Sequence, residues 1–492
     1  MTTPSRNPST RAPAVLALLA TSTLLMWLPA LRTPFWGDDY VFLLASRAAR
    51  MAALPWWSDF LPPSPLRFWR PLSQEGYWRL MEGGFGGNAL AMHAASLALH
   101  VLASASVGLL AMRMARACQW RRAGRTGVLA GLIYGTLAMH MLPVHWAAAA
   151  NSSMLTLLTA LMLCAWLDAL CAEGPRRSLL LCLTPVLLAL ALLIKESAVL
   201  TPLLMVATGV FSARLGWQRG PLIALAACCL VIAGWLVLHA RFTTESDPAY
   251  ALTLGSNVIR NGASFLAWMA NVPRESLRMA VVGDRGPALA WIAATALPML
   301  AAWGIALRRG HSLLSPRQWL AVIVFAVLAY GPYFLFAWNS YPYYAAISAI
   351  LPTIAFAHLS VENRRLWLIA ALIALSSWAA VAGSRHVAQP GLIARAQWGE
   401  NLLRELEQQP VGAPVWVETS DPQRFYAIGQ AGLAWRLGID PAAVHLTTRC
   451  PARVSHCLVI AEDGTWHWRE TASAGPAAAG ATMGLHFLRH AL

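Results

Sequence analysis

Residues 88–112 read NALAMHAASLALHVLASASVGLLAM, a run of 25 residues without Asp, Glu, Lys or Arg. A helix of about 17–25 apolar residues crosses the hydrocarbon layer of a bilayer, where charged side chains are costly. Ten more windows of at least 17 residues share this character, so the sequence predicts about eleven transmembrane helices. The eleven windows are 12–31, 88–112, 126–142, 146–167, 178–194, 197–213, 220–240, 286–307, 318–337, 343–361 and 366–384.

The composition of the whole chain agrees with this prediction. Of its 492 residues, 58% are hydrophobic and 12% are charged, whereas about 25% of the residues of a soluble domain are charged. This balance excludes a single soluble globule. The net charge of +15 and the pI of about 10.1 would also suit a nucleic-acid-binding protein. The distribution of the basic residues along the chain distinguishes this possibility from a membrane protein.

The arginines lie in every second connection between the predicted helices. By the positive-inside rule these short connections are cytoplasmic, which predicts a cytoplasmic N-terminus and, after eleven crossings, an outward C-terminus. They carry +13 of the +15 charge, so the charge reflects topology and we expect no nucleic-acid partner. The long loops and the C-terminal tail are therefore expected on the outer side of the membrane. The arginines concerned are Arg6, Arg11, Arg113, Arg116, Arg121, Arg122, Arg125, Arg176, Arg177, Arg214, Arg219, Arg308, Arg309, Arg317, Arg364 and Arg365.

Two domains are expected. Residues 1–384 form the transmembrane part, with long outer loops at 32–87 and 241–285, and residues 385–492 form an extracytoplasmic tail. The tail reads as a small α/β unit, because an amphipathic helix at 391–408 precedes four short strands near 414–418, 444–447, 457–461 and 465–469. The last two strands flank Asp463-Gly464, a hairpin signal.

The tail also holds two cysteines, Cys450 and Cys457. The compartment predicted for the tail is oxidising, which favours a disulfide between them. Two free thiols are the alternative.

Polar groups cluster at the predicted outer ends of the helices. Five clusters that are distant in sequence fall at one membrane level, which suggests a single site facing outward. They are Trp36-Gly37-Asp38-Asp39-Tyr40, Phe68-Trp69-Arg70-Pro71-Leu72, Pro143-Val144-His145, Lys195-Glu196 and Asn339-Ser340-Tyr341-Pro342-Tyr343-Tyr344.

The Asp38-Asp39 pair suits acid/base chemistry. One carboxylate would accept the proton of an acceptor hydroxyl, while the other orients that group or holds a cation. The alternative is a solvated pair of carboxylates at a helix end.

Lys195 is the single lysine among 37 basic residues. Its compact ammonium differs chemically from the guanidinium fork that the chain uses everywhere else. The two flanking windows are close to the minimum length for a span, so their turn would lie recessed, at the depth of a lipid phosphate. Lys195 would bind that phosphate with Glu196 as its partner, or the two side chains would simply pair with each other.

Further residues have two interpretations each. His145 either hydrogen-bonds a phosphate or sugar, or caps a helix, and Arg70 either binds phosphate or pairs with an acid. The tyrosines of the last cluster either contact a sugar or belong to an interfacial aromatic belt. Three arginines of the second outer loop are phosphate candidates or one face of an interfacial amphipathic segment. The tyrosines are Tyr341, Tyr343 and Tyr344, and the arginines are Arg260, Arg274 and Arg278.

Motifs for other chemistries are missing from the sequence. It has no P-loop, no GxGxxG at a strand-to-helix turn, no HExxH and no GxSxG. ATP-driven transport, a nucleotide cofactor and zincin chemistry therefore have no support. We assign no metal ligands, since a divalent metal is compatible with the acidic pair but unsupported.

In this order the clusters resemble the GT-C superfamily of integral-membrane glycosyltransferases. The similarity is greatest to protein O-mannosyltransferase-like members with transmembrane and tetratricopeptide parts, and to their bacterial relatives. It covers residues 30–210 by motif and extends to about residue 384 by helix count. The elements that carry it are Asp38-Asp39, Trp69-Arg70-Pro71-Leu72, the span from His93 to His100, Pro143-Val144-His145 and Lys195-Glu196.

The chain departs from the family pattern at two places. Ala147–Ala150 and Asn151-Ser152-Ser153 stand where the family has acidic and arginine residues, and an Arg-Tyr-x-Tyr element is reduced to Tyr341-Pro342-Tyr343-Tyr344. The resemblance therefore does not assign phosphate binding to that turn, and Arg260, Arg274 and Arg278 are the alternative positions. Tetratricopeptide repeats do not follow.

The resemblance implies an all-α, GT-C-like membrane domain that transfers a sugar from a polyprenyl-phosphate donor, with inversion. The acceptor would be a surface glycan, a lipid or a protein. The implied location is the bacterial inner (cytoplasmic) membrane, with the active site facing the periplasm. Asp38 would take the acceptor proton with Asp39 assisting, while Lys195, His145 and Arg70 stabilise the departing phosphate. The alternatives are a flippase for lipid-linked glycans, for which charged groups within the spans would be expected, and a non-catalytic membrane scaffold.

Overall fold

The computed structural model describes residues 11–469 apart from short gaps. The gaps are 63–64, 217, 245–247, 338–339, 388–390, 409–412, 452–453 and 455–456. Asn339, named above in the last polar cluster, lies outside the described residues.

The described chain is mainly helical, with one small sheet near its C-terminal end. Short 3-10 turns join many of the helices. The helices are α1 Arg11–Trp27, α2 Asp38–Met51, α3 Tyr77–Phe85, α4 Ala89–Ala117, α5 Ala123–Thr136, α6 Met141–His145, α7 Asn151–Cys171, α8 Gly174–Leu192, α9 Thr201–Phe211, α10 Arg219–Phe242, α11 Ser256–Met269, α12 Arg274–Val282, α13 Arg285–Gly310, α14 Pro316–Phe334, α15 Ile350–Val361, α16 Leu366–His386, α17 Leu392–Glu407, α18 Pro422–Phe425 and α19 Gly429–Leu437.

Eight helices in the described part of the chain are long and apolar enough to span a membrane. A ninth span results if α5 and the segment Ala138–His145, which are bent by 57° relative to each other, count as one. The predicted count of eleven is therefore not confirmed. Two predicted windows correspond to shorter apolar helices, Glu196–Phe211 and Ile350–Val361. The sequence overestimated their length because an apolar run does not reveal how many of its residues form a regular helix.

Helices α4 and α5 pack closely because glycines face each other between them. A Cβ added at Gly108 would lie 2.8 Å from the Gly127 carbonyl oxygen, and one at Gly131 would lie 2.9 Å from the Ser104 carbonyl oxygen. Small residues at an interface let two membrane helices approach in this way. At the end of α5, the indole of Trp27 donates to the Gly135 carbonyl over 2.7 Å, which ties α1 to this pair.

The arginine-rich connections meet one another at one end of the helices. Arg122 donates to the Val361 carbonyl over 3.0 Å, and Arg214 donates to the Ala117 carbonyl over 3.0 Å. Arg113 forms an ion pair with Asp168. These contacts join connections that the sequence assigns to the same side of the membrane.

The C-terminal part contains a four-stranded sheet in the order β2-β1-β3-β4. Strand β1 pairs in parallel with β2 and β3, and β3 pairs antiparallel with β4 through the predicted hairpin. The strands are β1 Val415–Thr419, β2 Val444–Thr447, β3 Cys457–Ile460 and β4 Trp466–Arg469. The predicted fold class, a polytopic helical protein with a small α/β C-terminal unit, is confirmed, whereas the domain boundary near residue 385 stays a prediction.

One hydrophobic cluster joins this C-terminal unit to the first outer loop. Tyr40 and Phe42 of α2 and Trp78 of α3 pack in the same core as Leu402 of α17 and Leu433 of α19. The unit therefore sits on the loop that carries the acidic pair.

Candidate active site

The acidic pair begins helix α2 immediately after a glycine turn. Gly37 has a φ of +56°, a left-handed conformation that glycine adopts without strain. Asp39 is fully buried, and its two carboxylate oxygens accept hydrogen bonds from the backbone N–H groups of Ala148 at 2.7 Å and Trp36 at 3.1 Å. Asp39 thus fastens the turn to the segment that follows α6.

Asp38 is held differently and remains partly exposed. Its Oδ1 accepts a hydrogen bond of 2.6 Å from the hydroxyl of Tyr426, which lies 388 positions away in the C-terminal unit. Asp38 is therefore the member of the pair that is accessible from solvent.

Burial raises the pKa of both carboxyl groups. For Asp39, burial raises the pKa to about 8, and the neighbouring Asp38 charge acts in the same direction. The two backbone N–H groups act in the opposite direction, because they favour the ionised form. For Asp38 burial is opposed by the Tyr426 hydrogen bond and by Arg67 and Arg70. Elevated carboxyl pKa values of this kind also occur at the acid/base sites of enzymes.

The Lys195-Glu196 turn is tied to the Arg70 segment by the backbone. The Leu72 N–H donates to the Leu193 carbonyl over 3.1 Å, and the Ser73 hydroxyl donates to the Ile194 carbonyl over 2.7 Å. These contacts bring the guanidinium of Arg70 onto the carboxylate of Glu196 as a bidentate pair, with N–O distances of 2.8 and 2.7 Å. Of the two interpretations of Arg70, the pairing with an acid is the one that this geometry shows.

Lys195 is 6% exposed, and none of its described contacts is with a carboxylate. Its Nζ lies 3.3 Å from the Ser152 hydroxyl, and 4.8 and 5.1 Å from the ring centres of Tyr343 and Tyr344. The same side chains line a small cavity. Burial, together with the positive charge of Arg70, lowers the pKa of Lys195 to about 7, although Glu196 acts in the opposite direction.

Arg70 connects the acidic pair to this lysine. It is close enough to act electrostatically on Asp38 and on Lys195, and its guanidinium also lies 4.3 Å from the ring centre of Phe68. The structure therefore brings three of the five predicted polar clusters to one place.

The tyrosine turn completes the same region. Tyr341 and Tyr343 stack at 5.4 Å between ring centres, and the guanidinium of Arg274 lies 4.2 Å from the Tyr341 ring. Arg278 is close by, where burial and the charges of Arg274 and Arg395 lower its pKa. Two of the three predicted loop arginines thus join the tyrosines, together with Arg395 of α17, which the sequence did not single out.

Two other predicted residues have different surroundings. The Nδ1 of His145 lies 2.9 Å from the Thr33 hydroxyl, and its ring lies 6.2 Å from that of Trp27. These contacts hold the chain just ahead of the acidic turn. Arg260 donates to the Ala337 carbonyl, on an exposed face of α11.

Cys450 and Cys457 form a disulfide with their Cα atoms 6.3 Å apart. Together with Glu418 they are the single group of potential metal ligands with suitable spacing in the described chain. Because the bond between the two sulfurs occupies both of them, we assign no metal to this group.

Two residues of the site escaped the sequence analysis. Ser152 was noted only as a departure from the family pattern, yet its hydroxyl contacts Lys195. Tyr426 lies between α18 and α19 in a unit whose role was unspecified, and nothing in its local sequence indicates that it contacts Asp38. An arrangement of this kind is visible only after the chain has folded.

Comparison with known proteins identifies the fold. No family model matches the sequence, and no curated protein matches it significantly. Among solved structures, ArnT from Cupriavidus metallidurans bound to undecaprenyl phosphate matches at 13% identity and a TM-score of 0.51, covering 90% of this chain and 92% of that one.

The Archaeoglobus fulgidus oligosaccharyltransferase matches at 12% identity and a TM-score of 0.50, covering 90% of this chain and 65% of that one. Both solved proteins are GT-C glycosyltransferases. At these identities the likeness concerns the fold, and the chain therefore has the GT-C fold that its motifs predicted.

Proposed function

We propose that the protein is a membrane glycosyltransferase that moves a sugar from a polyprenyl-phosphate donor to an acceptor hydroxyl. One observation carries the proposal: a partly exposed carboxylate, Asp38, and a buried ammonium, Lys195, both lie within electrostatic reach of Arg70. Such a transfer needs two components, a base for the acceptor hydroxyl and a cation that stabilises the departing phosphate. ArnT, which shares the fold, was solved with undecaprenyl phosphate bound.

The donor phosphate is assigned to Lys195, with Arg70 as a neighbouring cation. Glu196 neutralises Arg70, whereas Lys195 is held by a hydroxyl and two ring faces. A lipid phosphate at this point would supply the negative charge that the buried ammonium otherwise lacks. Because the site is largely closed to water, a fixed positive charge there stabilises developing negative charge strongly.

The acceptor is assigned to Asp38. Its carboxylate takes the proton of the acceptor hydroxyl as the acceptor oxygen bonds to the anomeric carbon. The bond from that carbon to the phosphate oxygen breaks, and the polyprenyl phosphate leaves with the electron pair. Asp39, fixed by two backbone N–H groups, holds the turn that aims Asp38, and His145 supports the same turn through Thr33.

Several parts of the proposal rest on the resemblance and on charge distribution. These are inversion at the anomeric carbon, an inner-membrane location with the site facing the periplasm, and a particular likeness to the O-mannosyltransferase-like members. The acceptor class remains a surface glycan, a lipid or a protein. Tyr341, Tyr343, Tyr344, Arg274 and Arg278 are proposed to line the substrate path. Arg260, at its exposed position, is the weakest member of the predicted set.

Sugar transfer in membranes tests the proposal. Vesicles that contain the protein are supplied with radiolabelled polyprenyl-phosphate sugars, and the label in water-soluble or lipid-linked products is counted. We expect Asp38→Asn to lower transfer about 100-fold or more, since a general base contributes about 10²–10⁴-fold. Asp59→Asn is the control, because Asp59 lies in the same outer loop but pairs with Arg79.

The outcomes separate the alternatives. Loss of transfer in Asp38→Asn with retention in Asp59→Asn supports the transferase. Movement of the labelled lipid across the membrane without transfer would indicate a flippase instead. If neither occurs with any donor of this class, the protein is a scaffold and the catalytic assignment is wrong.

A further inference from the structure

The C-terminal unit places one side chain directly on the acidic pair. The Tyr426 hydroxyl donates to Asp38 Oδ1 over 2.6 Å, while its ring lies perpendicular to that of Trp36, with 5.6 Å between ring centres. The proposed reaction, as derived from Asp38 and Lys195, leaves this contact without a role.

The backbone reinforces the contact. The Gly37 N–H donates to the Ala427 carbonyl over 2.9 Å. A Cβ at Gly37 would lie 3.0 Å from the Tyr426 ring, so the glycine provides the room that the tyrosine needs. The tyrosine is therefore seated in the turn that begins α2.

A second contact docks the same unit away from Asp38. The guanidinium of Arg47, on α2, lies 3.3 Å from the ring centre of Trp435, on α19. This contact offers a site for a control substitution in the same unit that does not touch the carboxylate.

Charged and titratable groups from several elements surround Asp38. The first outer loop contributes two cations, the second outer loop a tyrosine, and α2 the neighbouring acid. They are Arg67, Arg70, Tyr250 and Asp39. Tyr426 is the one group among the described residues for which a side-chain hydrogen bond to Asp38 is seen.

We propose that Tyr426 is a positioning residue for the base: its hydroxyl engages one oxygen of Asp38 and leaves the other for the acceptor hydroxyl. This inference rests on the proposed transferase function. A hydrogen bond donated to a carboxylate stabilises the ionised form, which is the form that accepts a proton. The C-terminal unit must consequently be docked for Asp38 to act, and the acceptor reaches the base at the junction between this unit and the membrane part.

The pH dependence of transfer tests the role in catalysis. In Tyr426→Phe the ring remains and the hydroxyl is lost, so Asp38 ionises at higher pH. We expect the acid limb of the rate profile to move upward by about one pH unit. Trp435→Phe is the control, since it changes a residue of the same unit but keeps an aromatic ring for Arg47, so the unit stays docked and the limb is expected to stay in place.

A second measurement does not depend on activity. Carbodiimide couples amines to protonated carboxyl groups, and mass spectrometry of the peptide containing Asp38 reports the extent of labelling at each pH. We expect the labelling midpoint to rise in Tyr426→Phe and to stay at the wild-type value in Trp435→Phe.

The two measurements distinguish failure of the positioning role from failure of the transferase function. Equal labelling midpoints in wild type and Tyr426→Phe, or equal shifts in both variants, would overturn the positioning role. If the midpoint shifts but the wild-type protein transfers no sugar at any pH, the control of Asp38 by Tyr426 stands and the transferase function is wrong.

Discussion

Replacing Lys195 by arginine should alter how donor binding depends on pH. Burial and the neighbouring Arg70 charge lower the pKa of the free Lys195 ammonium to about 7. A bound phosphate supplies an opposite charge and raises that pKa, so binding takes up a proton above pH 7. Arginine stays charged throughout this range and removes the linkage.

The direction and the size of the change in affinity follow from the pKa of Lys195 in the free protein and in the donor complex. The contribution of the ammonium to binding is fully present below the free-state pKa of about 7 and is lost as the pH rises toward the pKa of the complex. Within that window the affinity of the wild-type protein falls by up to about tenfold per pH unit, equivalent to about 1.4 kcal/mol. In Lys195→Arg this component of the pH dependence should vanish.

Equilibrium binding of a polyprenyl-phosphate sugar in nanodiscs between pH 6 and 9 checks the prediction. The phosphodiester of this donor carries one charge throughout, so the ligand does not titrate. Because burial also raises the pKa of Asp39 to about 8, the difference between the two proteins, rather than the wild-type curve alone, reports Lys195. Parallel curves for wild type and Lys195→Arg would refute the reasoning.

Three further predictions concern stability and covalent structure. Asp39→Asn leaves one buried backbone N–H without an acceptor, so unfolding in detergent should require about 1–3 kcal/mol less; an unchanged unfolding midpoint would contradict the anchoring role. A double-mutant cycle of Arg70→Gln and Glu196→Gln should give a coupling energy of about 1–3 kcal/mol, since both side chains are less than a third exposed; additive effects would refute the pairing. Cys450 and Cys457 should react with a thiol label only after reduction, and labelling of these two cysteines in the unreduced protein would exclude the disulfide.

The secondary structure near the C-terminus was largely predictable because its signals are local. Strand β2 coincides with the predicted 444–447, and helix α17 lies within the predicted 391–408. The hairpin formed at Asp463-Gly464, as turn chemistry indicates. The helix count was less predictable, since apolar windows cannot show that the chain bends by 57° after Thr136.

The side-chain pairs at the site could not be predicted from which residues are neighbours in the sequence. Lys195 and Glu196 are neighbours in sequence, but Lys195 has an extended backbone, with φ −162° and ψ 138°. Successive side chains of an extended backbone point to opposite sides. Glu196 can therefore meet Arg70 while Lys195 meets Ser152 and the tyrosines.

The sequence by itself determined the class of protein, because burial of apolar helices in a bilayer depends on composition and length alone. It also determined which residue types lie at the helix ends that the arginine distribution predicts to face outward. Only the tertiary structure decided that Arg70 neutralises Glu196, that Lys195 has no acidic partner among its described contacts, and that Tyr426 contacts Asp38. These contacts join residues 43 to 388 positions apart, and the packing of distant segments, rather than any local pattern, sets such distances.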